Sequence, residues 1–432
     1  MTSIPQPDRT KMPPLGKNQV FHLNEPDTIT LSNNIETSII RAGTENITRI
    51  DMVFKAGSAC QNKRLVASTT NNLLKEGTSQ KSSSAIAGIL DYYGAYLHTQ
   101  INKDTASVTL YALSKHLNEL LPLMAELISD SVFPENELNL YLQRHKQEYL
   151  VNIKKVRYLA SLEFNKMVFG KNSAYGQVLT QNDFDNISRE DVLTFYKNYY
   201  NPANAYIIIS GFTDDNIMSL TEKHLGTLVP DKNMRFNNNI IYSENSAPQN
   251  KYIEQKEALQ SALRIGKQII GRNHPDFPAI QLLNTILGGY FGSRLMSNLR
   301  EDKGYTYGIS SFIQSYKHAS AFTIATEVNA DNTTEAVDEI CKEISLLRKY
   351  EVDNKELQLV KNYVFGNFLK SFDGPLALAE RYRIVKDAGL DFSYYSQSLQ
   401  SMMKLSAKQL LETAYKYFEP ESLLHLVVGK KK

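Results

Sequence analysis

Two stretches of this chain repeat one another at a fixed distance, and that repeat limits the possible folds more than any other feature. The first reads ISREDVLTFYKNYYNPANAYIIISG from Ile187, the second LSAKQLLETAYKYFEPESLLHLVVG from Leu405. Ser188 pairs with Ser406, Tyr199 with Tyr417, Pro202 with Pro420 and Gly211 with Gly429, each pair 218 positions apart without a gap. Both copies share one physical grammar. A serine N-cap with Asp191 or Gln409 at capping-box spacing opens an amphipathic helix, a proline turn follows, and a short aliphatic run closing on glycine reads as a buried strand. Glu137-Leu138 and Glu356-Leu357 each open a long helical pattern, and Gly94 and Gly304 each separate a helix from a strand. Several such pairs in one order indicate a duplicated domain. At 432 residues the chain suits two domains of about 200 residues each.

Within the first copy, apolar patterning predicts strands over 35–40 and 47–54, helices over 66–74 and 84–93, and a hairpin over 96–100 and 106–112. Further helices are expected over 117–128, 135–155, 159–169 and 188–198, with a closing strand over 205–210. Hairpins interspersed with helix pairs imply an α+β fold: two homologous domains, each an antiparallel sheet with helices packed on one face. The expected organisation is an extended Pro-rich arm (1–27), a first domain (28–226), a linker and strand lead-in (227–260) and a second domain (261–432).

Composition removes several functions. A net charge of +2 offers no broad footprint for nucleic acid, and no apolar run reaches the roughly 20 residues needed to span a bilayer. The polar start, MTSIPQPDRTKMPPLGKNQ, lacks an apolar signal core, so a cytoplasmic location is expected, or a periplasmic one if a leader has been removed. Cys60 and Cys341 stand far apart and read as reduced thiols. No two of the eight histidines lie within helix-turn spacing of each other, and His145 with Glu148 reads as a polar stripe. No P-loop and no G-x-S-x-G nucleophile elbow occurs.

The order of elements, the duplication, and the segments LLKEGT, NISREDVLTFYKNYYNPANAYIIISG and LREDKGYTYGI resemble the pitrilysin/insulinase family of zinc peptidases over roughly residues 28–430. In that family an H-x-x-E-H helix precedes an aliphatic-Lys-Gly-Thr turn: the histidines bind zinc, the glutamate activates water, and a later glutamate completes the site. Aligned on Gly77-Thr78, the resemblance puts Ser68 and Asn72 at the histidine positions and Asn71 at the general base. The later ligand falls at or near Asn152, with Glu148 close by on the same helix. Neutral Ser and Asn are weak zinc ligands, and an amide cannot take a proton from water. The chain is therefore expected to hold no catalytic metal of its own.

The second copy keeps a match to the family's Arg/Tyr pair, Arg300 and Tyr307, seven residues apart and preceded by a glycine cluster, Gly288, Gly289 and Gly292. In the family these side chains bind substrate backbone and stabilise the oxyanion of peptide hydrolysis. The glycines imply close packing or a flexible loop that senses an extended peptide. The resemblance thus implies the non-zinc subunit of a heterodimeric zinc endopeptidase, working on peptides or unfolded polypeptide inside a closed chamber with a homologous zinc-bearing partner. The alternative is a catalytically inactive structural or binding homologue, as a homodimer or scaffold subunit.

Overall fold

The computed structural model describes residues 8–11, 23, 25–213, 216–230, 240–244 and 247–431. Most of the expected arm and part of the 227–260 connection lie outside the described residues. The strands are β1 (Asp27–Thr30), β2 (Glu36–Arg41), β3 (Ile47–Phe54), β4 (Tyr96–Ile101), β5 (Ala106–Leu113) and β6 (Ala205–Gly211) in the first half. The second half holds β7 (Asn250–Glu254), β8 (Gln260–Ile269), β9 (Thr306–Ser315), β10 (Ser320–Asn329) and β11 (Leu424–Gly429). β7 thus falls within the expected strand lead-in.

The repeated unit folds alike in both places. Ser188 Oγ accepts the Asp191 N–H at 3.2 Å while the Asp191 carboxylate accepts the Ser188 N–H at 2.8 Å. Ser406 and Gln409 make the same reciprocal pair at 3.2 and 2.9 Å. These boxes satisfy N–H groups that a helix start otherwise leaves unpaired, and so fix where the Arg189–Tyr199 and Ala407–Tyr417 helices begin. Gly94 and Gly304 both take left-handed conformations, φ +59° and +66°, just before β4 and β9.

The first sheet runs in the order β1-β2-β6-β3-β5-β4 and the second β7-β11-β8-β10-β9. With β1 set aside the two orders are the same, so the halves are two copies of one topology. Pairing is antiparallel except where β6 and β11 return beside β2 and β7, which they join in parallel. Each returns through a helix, a connection long enough to bring a strand in either direction. The expected 135–155 helix ends at Asn152, where Lys155 N–H turns back to the Asn152 carbonyl at 2.9 Å, and the next helix starts at Val156.

Each half packs most of its own helices on one sheet face. In the first half Ile50, Met52 and Phe54 of β3 and Ile207 and Ile209 of β6 meet them; in the second, Leu263 and Ile265 of β8 do so. The opposite faces are covered by exchange. The second half's Pro375–Asp387 helix lies on β2 and β6, putting Ala379, Tyr382 and Val385 against Ile40, Val53 and Ile208. The first half's Val156–Phe169 helix lies on β8 and β11, putting Ala160, Phe164 and Val168 against Ala262, Leu426 and Val428.

A buried arginine anchors each exchanged helix. Arg49 of β3 pairs with Asp51 through two hydrogen bonds, 2.7 and 2.9 Å, and reaches the Leu376 carbonyl (3.3 Å) and Glu380 on the incoming helix. Burial works against the Arg49 charge, but Asp51 and Glu380 outweigh it and hold its pKa above the ordinary value. Arg264 of β8 reaches the Arg157 carbonyl and Ser161 hydroxyl at 3.3 and 3.4 Å, and Glu327 at 3.1 Å. Arg49 and Asp51 have side-chain exposures of only 3% and 1%, so removing one leaves the other charged and buried without its partner. Arg49→Ala is expected to cost about 3–5 kcal/mol of stability, whereas the paired replacement Arg49→Met with Asp51→Leu costs markedly less. Urea unfolding midpoints of both variants against wild type test this, and equal losses would remove the ion pair as the cause.

Candidate functional site

Ser68, Asn71 and Asn72, the three positions expected to be degenerate, share one short helix, Val66–Leu73, and their side chains are already engaged. Ser68 Oγ donates to the Leu65 carbonyl at 3.0 Å. The Asn72 amide donates to the Ser68 carbonyl at 2.9 Å and to the Tyr141 hydroxyl at 3.1 Å. Asn71 is fully buried, and its Oδ1 accepts from the Tyr200 hydroxyl at 2.9 Å, while its amide nitrogen has no partner among the described residues. Burial raises the Tyr200 pKa well above its ordinary value, so Tyr200 stays a neutral donor. Burial likewise raises Tyr141, with the Asn72 contact opposing it more weakly.

On the later helix the residue facing Asn72 is therefore Tyr141. Asn152 stands at that helix's end, eleven residues on, where its Oδ1 accepts from the Lys155 ammonium at 2.8 Å. Eleven residues of α-helix span roughly 16 Å, so no contact brings Asn152 to Ser68 or Asn72. His145 stacks on Tyr141, with centroids 3.9 Å apart, and its Nε2 lies 3.9 Å from Glu148. Among the described residues no three His, Cys, Asp or Glu side chains gather as a metal cluster. A hydroxyl, two amides and a phenol engaged with one another do not fit a zinc ion.

Spacing analysis missed Tyr141 and Tyr200. Tyr141 shares a helix face with His145, Glu148 and Asn152, at intervals of four, three and four residues, and that periodicity was the available signal. Tyr200 lies in the repeated segment itself, but nothing in the sequence relates it to Asn71.

Ser68 opens on a cavity of about 510 Å³, shared with Arg64 and Lys103 of its own half and with Gln314 and Tyr316 of the other. Tyr307 lies at the opposite end of β9 from Gln314, and Arg300 in the segment that precedes the strand. Tyr307 is 92% exposed on β9, an edge strand, beside a cavity of about 770 Å³ shared with Lys154, Val156, Leu259 and Asn329. From Tyr307 to Gln314 seven residues of strand cover about 23 Å.

Tyr307 owes its direction to a β-bulge. Thr326 pairs with Ile309 and Val328 with Thr306, so β9 carries one extra residue here. Thr306 Oγ1 pins the bulge, accepting the Gly308 N–H at 3.0 Å and donating to the Glu327 carbonyl at 2.7 Å. Arg300 lies in a π-helical segment, Met296–Asp302, with its guanidinium 4.7 Å from the exposed Phe291 ring. The backbone doubles back between the pair, Tyr305 N–H reaching the Leu299 carbonyl at 2.9 Å. The glycine cluster serves close packing. A Cβ on Gly288 would come 2.7 Å from the Ser311 amide, and one on Gly289 3.2 Å from the Asn284 carbonyl. At Gly292 it would meet only the Tyr290 ring.

Comparison with known proteins agrees with this geometry. Residues 186–364 match the family model described as the peptidase M16 inactive domain. The chain is similar to the uncharacterized zinc protease YmxG of Bacillus subtilis, 24% identical over 69% of this chain and 72% of that protein. It is similar to the non-peptidase homolog YmxG of Helicobacter pylori, 21% identical over 89% of each. Among solved structures, a peptidase M16 inactive domain from Pseudomonas fluorescens superposes with a TM-score of 0.86 at 23% identity, over 94% of this chain and 98% of that one. The chain is thus similar to the M16 (pitrilysin/insulinase) peptidases and their inactive homologues and shares their fold, with Ser68, Asn71 and Asn72 on its Val66–Leu73 helix.

Proposed function

We propose that this chain is the Arg/Tyr-bearing subunit of a two-chain zinc endopeptidase that cleaves peptides or unfolded polypeptide, with zinc, its ligands and the general base supplied by a homologous partner. One observation carries this reading. Tyr307 is turned outward on an edge strand, beside a cavity, at the far end of that strand from the chain's own degenerate position. Side chains do not bridge about 23 Å of strand, so the pair would serve a centre on another chain. An extended peptide can add to the β9 edge through main-chain hydrogen bonds. The Arg300 guanidinium and Tyr307 hydroxyl would then donate to its carbonyl oxygens and to the oxyanion that develops on one of them. A closed chamber around the peptide and a cytoplasmic location complete the proposal.

A second reading is a non-catalytic binding or scaffold homologue, as a homodimer or assembly subunit. Similarity to the non-peptidase homolog of Helicobacter pylori favours it. In that case Tyr307 and the edge of β9 contact a ligand or neighbour without chemistry.

Alone, the purified chain is expected to carry substoichiometric zinc and no chelator-sensitive peptidase activity; stoichiometric zinc with activity lost on chelation would overturn this. The triple variant Ser68→His, Asn71→Glu, Asn72→His is expected to remain without stoichiometric zinc by elemental analysis, because Tyr141 supplies no carboxylate opposite Asn72.

With a partner bearing H-x-x-E-H, copurified from the native host, Arg300→Ala and Tyr307→Phe are each expected to lower turnover on the order of a hundredfold. That is about 3 kcal/mol of transition-state stabilisation, with subunit association unchanged. Wild-type turnover from both variants would favour the scaffold reading.

A further inference from the structure

A third cavity, apart from those beside Ser68 and Tyr307, lies where the end of β8 meets the turn between β9 and β10. It measures about 440 Å³, and among the described residues no carboxylate lines it: Arg272 and His274 stand on one side, Lys317 and His318 on the other. Among the described residues neither Arg272 nor Lys317 has a carboxylate partner; Arg272 lies beside the Tyr394 and Tyr395 phenols. The nearby acids are committed elsewhere. Asp104 accepts the Lys317 backbone N–H at 2.9 Å and the Tyr175 hydroxyl. Asp276 accepts from the Lys416 ammonium at 2.8 Å and the Tyr417 hydroxyl at 2.7 Å.

Ser320 is 1% exposed, lines the cavity, and its hydroxyl has no partner among the described residues. A buried hydroxyl left unpaired is costly, and an anion is the complement that a basic cleft selects. Gly271 stands opposite, and a Cβ there would sit 3.6 Å from Ser320 Oγ, in the space beside that hydroxyl. His274 Nδ1 accepts the Asp276 N–H at 3.0 Å, which leaves Nε2 as the donor nitrogen of the neutral ring. The frame is fixed on both sides: Tyr316 N–H closes its turn on the Ala319 carbonyl at 2.9 Å, and His274 N–H closes the other on Gly271 at 3.0 Å.

We infer that this cleft is a binding site for a phosphate group, held by the Arg272 guanidinium, the Lys317 ammonium and the Ser320 hydroxyl over Gly271. A tetrahedral oxyanion with several acceptor oxygens suits donors arriving from both walls and the floor, and the planar guanidinium can engage two of those oxygens at once. The site stands independently of the proposed peptidase role.

The test is calorimetric titration of the full chain, with chloride at matched ionic strength as the control. Inorganic phosphate, a nucleoside monophosphate and a phosphoserine peptide are titrated separately. Saturable binding is expected, with half-saturation on the order of 1 mM or lower at low salt, weakening as salt is raised. Arg272→Gln and Lys317→Gln each lower affinity about tenfold or more, and Gly271→Ala lowers it without unfolding the chain, while Arg300→Ala leaves it unchanged. Tighter binding of the nucleotide or of the peptide identifies the carrier, and either supports the site. No saturable response beyond chloride, or wild-type affinity in both Arg272→Gln and Gly271→Ala, overturns it.

Discussion

Everything else in this molecule rests on two buried arginines that each hold a helix borrowed from the opposite half. Arg49 and Arg264 occupy central strands of the two sheets, and each meets a main-chain carbonyl in the first turn of the incoming helix, at Leu376 and Arg157. A guanidinium loses much solvation on burial, and that cost offsets most of what these contacts add over an apolar contact of the same shape. They define position instead. The arginine's fixed fork accepts a helix at one depth and one rotation, and the apolar contacts of Val53, Ile208, Ala262 and Leu426 follow from that placement. Because the exchange is reciprocal, neither half can complete both faces of its sheet alone.

Much of this was legible before the fold was seen, for reasons that can be named. Capping boxes at Ser188 and Ser406 are local chemistry, and local chemistry survives into the structure. The unbroken aliphatic run of β6 reads as a strand covered on both faces, and it is; what covers the second face is not written in that run. The exchanged helices appeared only as helices, because helical patterning reports that a stripe is buried and is silent about the surface it meets. The same limit applies at the degenerate zinc positions. That residues 68, 71 and 72 are not His, Glu and His can be read from their identity, whereas Tyr141 and Tyr200 are fixed by contacts between residues 69 and 129 positions apart.

The polar character retained on the Val66–Leu73 helix has a structural explanation that requires no metal. Asn71 and Asn72 hold neighbouring elements through single hydrogen bonds to two phenols whose pKa values burial raises. These residues make a small hydrogen-bonded joint between three elements of the first half. The unpaired amide nitrogen of Asn71 is the one place where that joint is incomplete.

The bulge in β9 makes the outward direction of Tyr307 a matter of counting. From Ile309 onward, odd-numbered residues Ile309 and Ser311 turn inward while Ser310 and Phe312 turn outward; on that parity position 307 would point into the core. The inserted residue reverses the alternation, so the phenol faces solvent. A strand of regular pairing and the same composition would bury this ring among Leu299 and its neighbours. Chain length between Thr306 and Ile309, and not residue identity alone, thus decides whether this surface presents an aromatic hydroxyl at all. Among homologues of this fold, a one-residue deletion there would silence the position while leaving the tyrosine in place in an alignment.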